Sequence, residues 1–152
     1  MPNYRWSICE PDSPSIIEKG LISKESIMEN FQQFPWMDKL QKQISMKEED
    51  VCFSPSLEFE SLDTKQGVTF SILGDSANNY EFYIFYKRAK TIKSFFGFSK
   101  KHVENHISDI TGQTMEDATS FLKAFLDADV EYIEAKMKDP PFIIIMSDRI
   151  FY

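Results

Sequence analysis

Glycine is scarce in this chain, five residues among 152, and none falls in a GxGxxG or GxxxxGK[ST] arrangement. A backbone cradle for a dinucleotide or a triphosphate needs such glycines, because only a residue without a Cβ lets the main chain approach the phosphates. Nucleotide-dependent chemistry and a bound cofactor are therefore not expected. Cysteine is scarcer still. Cys9 and Cys52 are the whole complement and have no metal-like spacing, so neither a disulfide framework nor a zinc knuckle is supported, and free, buried thiols are the expectation. There is no GxSxG elbow to present a nucleophilic serine. Long apolar runs are also missing. The longest, Phe142 to Met146, falls far short of the roughly 20 residues that span a bilayer. The opening MPNYRWSICEP lacks the basic and apolar regions of a secretory signal, which makes cytoplasmic residence, away from any membrane, the expectation.

Basic residues are outnumbered, 17 Lys and Arg against 24 Asp and Glu, for a formal net charge of -7. Nucleic-acid binding is dominated by phosphate neutralisation, so nucleic acid is not expected as the primary partner. A basic protein partner is favoured, because opposite fields speed encounter. The one basic island, Lys87, Arg88, Lys90, Lys93, Lys100 and Lys101, has no acid between its ends. Interleaved with Phe95, Phe96 and Phe98, it has the composition of a single-stranded nucleic-acid groove. The acidic remainder would repel that polymer, and basic residues that guard a strand edge or pair within the chain are the plainer reading.

What the chain does have is aromatic residues, 14 of them Phe, and a run of alternating segments from Leu57 to Arg88. Successive side chains in a strand point to opposite faces. Leu57 and Phe59 oppose Glu58 and Glu60; Val68, Phe70 and Ile72 oppose Thr69 and Ser71; Phe82, Ile84 and Tyr86 oppose Glu81, Tyr83 and Phe85. Turn-forming clusters at 63–67 and 74–79 are of hairpin length, which predicts an antiparallel meander. Tyr4 to Cys9 alternates as a further strand, and Thr91 to Phe98 and Phe142 to Ile145 are strand candidates.

Elsewhere the period is helical. Ser23 predicts a helix start running to about Phe34, Pro35 a second start for Trp36 to Ile44. Thr114, followed by acids, caps a third helix, whose apolar positions Met115, Ala118, Phe121, Leu122, Phe125 and Leu126 continue through Tyr132, Ile133 and Met137. The fold class expected is α+β: one domain over 1–152, with an antiparallel sheet of about four to six strands, N-terminal helices and one long C-terminal helix packed on its apolar face.

Two constellations bear on chemistry. If the segment from His102 to Asp109 is helical, His102, His106 and Asp109 share a face and supply ligands of the kind that bind zinc or ferrous iron. The plainer alternative leaves them in a polar connector, with Val103, Ile107 and Ile110 buried, and no metal is expected. The second is the polar side of the predicted sheet. Glu58, Glu60 and Glu81 beside Tyr83 and Phe85 could act as paired carboxylates in a glycosidase-like cleft, could form a solvated face, or could dock a protein, with aromatics at the centre and carboxylates steering a basic partner. Asp127 and Glu131 of the last helix read as its solvated face or as part of the docking surface.

With LEFESL, GVTFSIL and YEFYIFYK followed by an acidic helix, the chain resembles the bacterial immunity proteins that neutralise toxins delivered between competing cells. The resemblance implies a non-catalytic inhibitor, monomeric or weakly dimeric, whose carboxylates steer a basic toxin domain and whose aromatics fill its cleft. The alternatives are a small metal- or carboxylate-dependent hydrolase and a self-associating structural protein.

Overall fold

The computed structural model describes residues 3–93 and 100–137. Over them run strand β1 (Tyr4–Cys9), strand β2 (Ile17–Ile22), helix α1 (Lys24–Gln33), helix α2 (Trp36–Ser45), a 3-10 turn at Glu48–Asp50, strands β3 (Ser56–Ser61), β4 (Gly67–Ser76), β5 (Asn79–Lys93) and β6 (Lys100–Gln113), and helices α3 (Met115–Leu126) and α4 (Val130–Lys136). The strands form one six-stranded antiparallel sheet in the order β2-β1-β3-β4-β5-β6. From β3 to β6 every neighbour in sequence is a neighbour in space, as an antiparallel meander requires.

Alternation sorts the sheet into two faces. Leu57, Phe59, Val68, Phe70, Ile72, Phe82 and Ile84 are all fully buried on one of them, with Tyr86. At roughly 1.5–3 kcal/mol per fully buried large apolar side chain, this face supplies much of the driving force for folding. The helices cover it: α2 packs on β4, and α3 on β4, β5 and β6 as well as on α1. Phe31 of α1 sets its ring 4.8 Å from that of Phe70 and 6.3 Å from that of Phe82. Phe125 of α3 lies 6.2 Å from Tyr4 and 6.5 Å from Tyr86, edge to face with both. Trp36 closes the α1–α2 corner by donating its indole N–H to the Phe31 carbonyl at 3.1 Å. No described helix lies over the opposite face.

The single long C-terminal helix expected from the sequence is instead two short ones. Ala128 adopts a left-handed backbone, φ 55. Asp129 N–H donates to the Ala124 carbonyl at 2.8 Å and Ala128 N–H to that of Phe125 at 3.3 Å, the paired bonds of a Schellman stop. Asp129 then caps the new helix, its Oδ1 accepting from Tyr132 N–H at 3.2 Å. The Thr114 start is a full capping box, in which Thr114 and Asp117 each bond the other's backbone N–H.

Three further expectations change. The segment from His102 to Asp109 is neither the expected polar connector nor a helix but belongs to β6. Its Ile107 is 57% exposed instead of buried. The cysteines are free, but Cys9 is half-buried and Cys52, in the loop beyond the 3-10 turn, is exposed. Of the expected strand from Thr91 to Phe98, the first three residues prolong β5 and the rest lie outside the described residues, as does Phe142 to Ile145.

The β5–β6 hairpin outruns the sheet. Pairing of β4 with β5 ends at Gly67 opposite Lys87, whereas β5 and β6 stay paired out to Lys93 opposite Lys100. At the point of departure Arg88, on the core side and only 4% exposed, reaches α4. Its Nε and Nη2 donate to the two carboxylate oxygens of Glu134 at 3.0 and 2.8 Å, and Nη1 to Ser108 Oγ at 2.7 Å. All three nitrogens are engaged, so the buried charge is matched.

Candidate protein-binding site

The uncovered face is organised in rows across the strands. One runs Arg5, Glu60, Gly67, Lys87, Ile107 from β1 to β6, and the next Ser7, Glu58, Thr69, Phe85, Asp109. The pleat puts each row's side chains on the same side of the sheet.

In the first row two cations share one carboxylate. Glu60 is paired with Arg5 Nη2 at 2.7 Å and with Lys87, and is 7% exposed. Lys87 arrives from two strands away because β4 offers only Gly67 between them. A Cβ there would lie 3.4 Å from Lys87 Cε and 3.9 Å from Glu60 Cβ, so a larger side chain would block the path. Burial pulls the Glu60 carboxyl upward, but the hydrogen bond and charge of Lys87, with Arg5 behind them, outweigh it and hold it below the usual glutamate range. A general acid for glycoside hydrolysis needs the opposite displacement.

The second row does not neutralise itself. Glu58 accepts from two hydroxyls, Ser7 Oγ at 3.4 Å and Thr69 Oγ1 at 3.1 Å. Asp109 accepts from the Tyr83 hydroxyl. Among the described residues neither carboxylate has a basic side chain within 4.0 Å. Between them stands Phe85, half-buried, with Tyr83 stacked on it at 4.4 Å and 13° between ring planes. The Asp109 hydrogen bond, with burial and the Asp109 charge added, pushes the Tyr83 hydroxyl up to about 12, so it stays protonated and donating at neutral pH. Comparisons of the chain with models of protein families, with curated proteins and with solved structures find no match. The site must therefore be read from its own geometry.

Of the residues singled out from the sequence, Glu58, Tyr83 and Phe85 come together on the uncovered face, with Glu60 beside them inside an ion-paired row. Glu81 lies farther along β5, at a shallow depression of about 340 Å³ shared with Leu73, Gly74, Asp75, Asn79 and Tyr80. Asp127 and Glu131 are exposed but belong to the helical layer on the other side of the sheet, Asp127 paired with Lys123 at 3.6 Å.

The His102, His106 and Asp109 set does not assemble as imagined. In a strand the two histidines stand about 13 Å apart, where a helical turn would hold them within about 6 Å. His102 Nε2 contacts Glu104 at 3.1 Å and its Nδ1 lies 3.5 Å from Thr91 Oγ1. Among the described residues no group of three or more His, Cys, Asp and Glu forms a possible metal site. Asp109 instead belongs to the aromatic row, a role invisible to helical spacing. Thr69, Ser7 and Lys87 were also not signalled: each gains meaning only from the strand opposite it.

Proposed function

We propose that this chain is a non-catalytic protein-binding module of the immunity type, which occupies and blocks a basic toxin or effector domain with the uncovered face of its sheet. The observation that carries the reading is the row in which Glu58 and Asp109, both without a cation among the described residues, flank a half-buried aromatic pair. Aromatic groups favour the centre of an interface, and uncompensated carboxylates draw a partner of opposite charge. A six-strand face on the order of 25 Å wide, at about 4.8 Å per strand, and about 20 Å along its six-residue strands offers on the order of 500 Å², the larger part of the roughly 800 Å² that each partner contributes to a standard interface.

The test is capture from the native organism with the wild-type chain and with Glu58→Arg and Phe85→Ala variants. A basic protein retained at one-to-one stoichiometry, inactivated by the wild type and lost with either variant, is the expected result. Retention that is indifferent to both variants removes this face from consideration.

Self-association has its own support. Both sheet edges carry an exposed apolar side chain, Leu21 on β2 at 62% and Ile107 on β6 at 57%. Light scattering that shows a mass independent of concentration, equal to one chain, ends that reading.

A further inference from the structure

The uncovered face holds two carboxylate environments side by side. Glu60 has two cations of its own, whereas Glu58, two residues earlier on the same strand, has only hydroxyl donors among the described residues. A carboxylate offers about four lone-pair sites over its two oxygens. Glu58 uses one on each oxygen and retains one on each, the pattern that a fork of two parallel N–H donors fills. Next to it in the row the side chain is short: Thr69, already committed to Glu58 Oε2. Beyond Thr69 stands Phe85, two strand spacings or roughly 10 Å from Glu58 in the backbone. Tyr83 backs its ring, and Asp109 anchors Tyr83 while adding a second uncompensated charge on the far side.

The short Thr69 of β4 therefore lies between a carboxylate, Glu58, and an aromatic ridge, Phe85 with Tyr83, while Ser71 next to it on that face is buried between Ser56 and Tyr83. We infer that this trough, running over Thr69 between Glu58 and Phe85, seats one arginine side chain of the partner, its guanidinium forked onto Glu58 and its methylene stem laid against Phe85. The inference rests on the docking reading above and gives it a chemical anchor. Arginine fits better than lysine because its planar fork matches two oxygens at once, and it sheds water more readily against an aromatic wall. The Lys87 ammonium does not fill the seat, because Gly67 lets it turn the other way, onto Glu60.

The probe is a capped tripeptide, Ac-Gly-Arg-Gly-NH2, titrated to tens of millimolar into the full chain, with the Phe85 ring and Thr69 amide followed by NMR. The lysine and citrulline versions serve as comparisons. The expected result is a response at Thr69 and Phe85 that is largest for arginine and about fivefold weaker for uncharged citrulline, the range of an exposed charged pair. Glu58→Gln is expected to bring the arginine response down to the citrulline level, and Glu116→Gln, exposed on α3 in the layer across the sheet, to leave it unchanged. The folded spectrum of each variant is its own control.

Equal responses to arginine and citrulline, an arginine response that survives Glu58→Gln, or shifts centred elsewhere overturn the seat. The titration needs no natural partner, so it fails separately from the docking reading. A captured partner lost with Phe85→Ala but retained with Glu58→Gln would leave the docking face standing and the arginine seat refuted.

Discussion

Phe82 and Phe85 stand three residues apart on β5, each on a different face, and the contrast between them is the contrast between the two sides of the sheet. Phe82 is fully buried, its ring 5.0 Å from Trp36 and 6.3 Å from Phe31. Phe85 meets Tyr83 and is otherwise bordered by Thr69, Lys87 and Asp109, with no described helix over it. One face is closed by helices and held by apolar burial. The other is laced by hydrogen bonds and ion pairs between strands, and its row from Ser7 to Asp109 holds two carboxylates with no basic partner among the described residues. The same alternation builds both, so a ring's role here is set by which side of the pleat it takes.

That comparison breaks most visibly in stability. Phe82→Ala is expected to lower unfolding free energy by about 3–5 kcal/mol, through lost transfer energy and the cavity left under α1 and α2, whereas Phe85→Ala costs about 1 kcal/mol or less. Urea denaturation of both variants measures the gap, and equal losses would dissolve the distinction between the faces. Next in size is Glu134→Ala, which leaves the buried Arg88 guanidinium with Ser108 as its one described hydrogen-bond partner and the Tyr86 ring beneath it. Removing one partner of a buried pair is costly, here discounted to about 2 kcal/mol because Glu134 is partly exposed. Double replacement, Arg88→Met with Glu134→Ala, should recover part of the loss in the same assay.

A smaller effect of opposite sign is expected at the stop between α3 and α4. Ala128→Gly relieves a left-handed residue that carries a Cβ and should raise stability by about 0.5–1 kcal/mol, read as a higher melting temperature. The smallest is a pH effect on the uncovered face. Because Lys87 and Arg5 hold the Glu60 carboxyl below its unfolded value, the unfolded chain binds the proton more readily than the folded one. The stabilisation is then fully present above the unfolded glutamate value of about 4.3 and is lost as pH falls through the lower folded value. Glu60→Gln should flatten that acid limb of a stability-against-pH curve. An unchanged limb would show that the row does not contribute.

Where pattern and period agreed, the architecture was legible. The apolar sets on β3, β4 and β5 and the Thr114 cap are as the alternation and the capping residues predict, because in those stretches local preference and burial point the same way. β6 was hidden for a physical reason. Its register against β5 slips twice, between Arg88 and Lys90 and between Phe82 and Ile84. Each extra residue resets which side the next side chain takes, so no continuous period of two survives in KKHVENHISDITGQ. The stop at Ala128 was hidden because alanine is the strongest helix former, and only the bonds from Asp129 to Ala124 and from Ala128 to Phe125 reveal the turn.

The candidate site was half legible. Glu58, Tyr83 and Phe85 share a face by alternation alone. That Glu60 is neutralised and Glu58 is not depends on what Gly67 and Lys87 do across the sheet, and cross-strand register is not a property of one segment.

The place where β5 leaves β4 divides the molecule into two kinetic compartments. From Lys87 inward each strand of the hairpin is part of a sheet backed by the helical core. From Arg88 outward to Lys93 the β5 main chain has β6 as its one described neighbour. Amide protons on the outer stretch can therefore exchange with solvent by local opening, at a free energy well below that of global unfolding. The fork from Arg88 to Glu134 fastens the boundary to α4. The outer hairpin then acts as a handle with a fixed pivot: it can bend or open without exposing Phe70 or Phe82, and without disturbing the row that runs from Ser7 to Asp109.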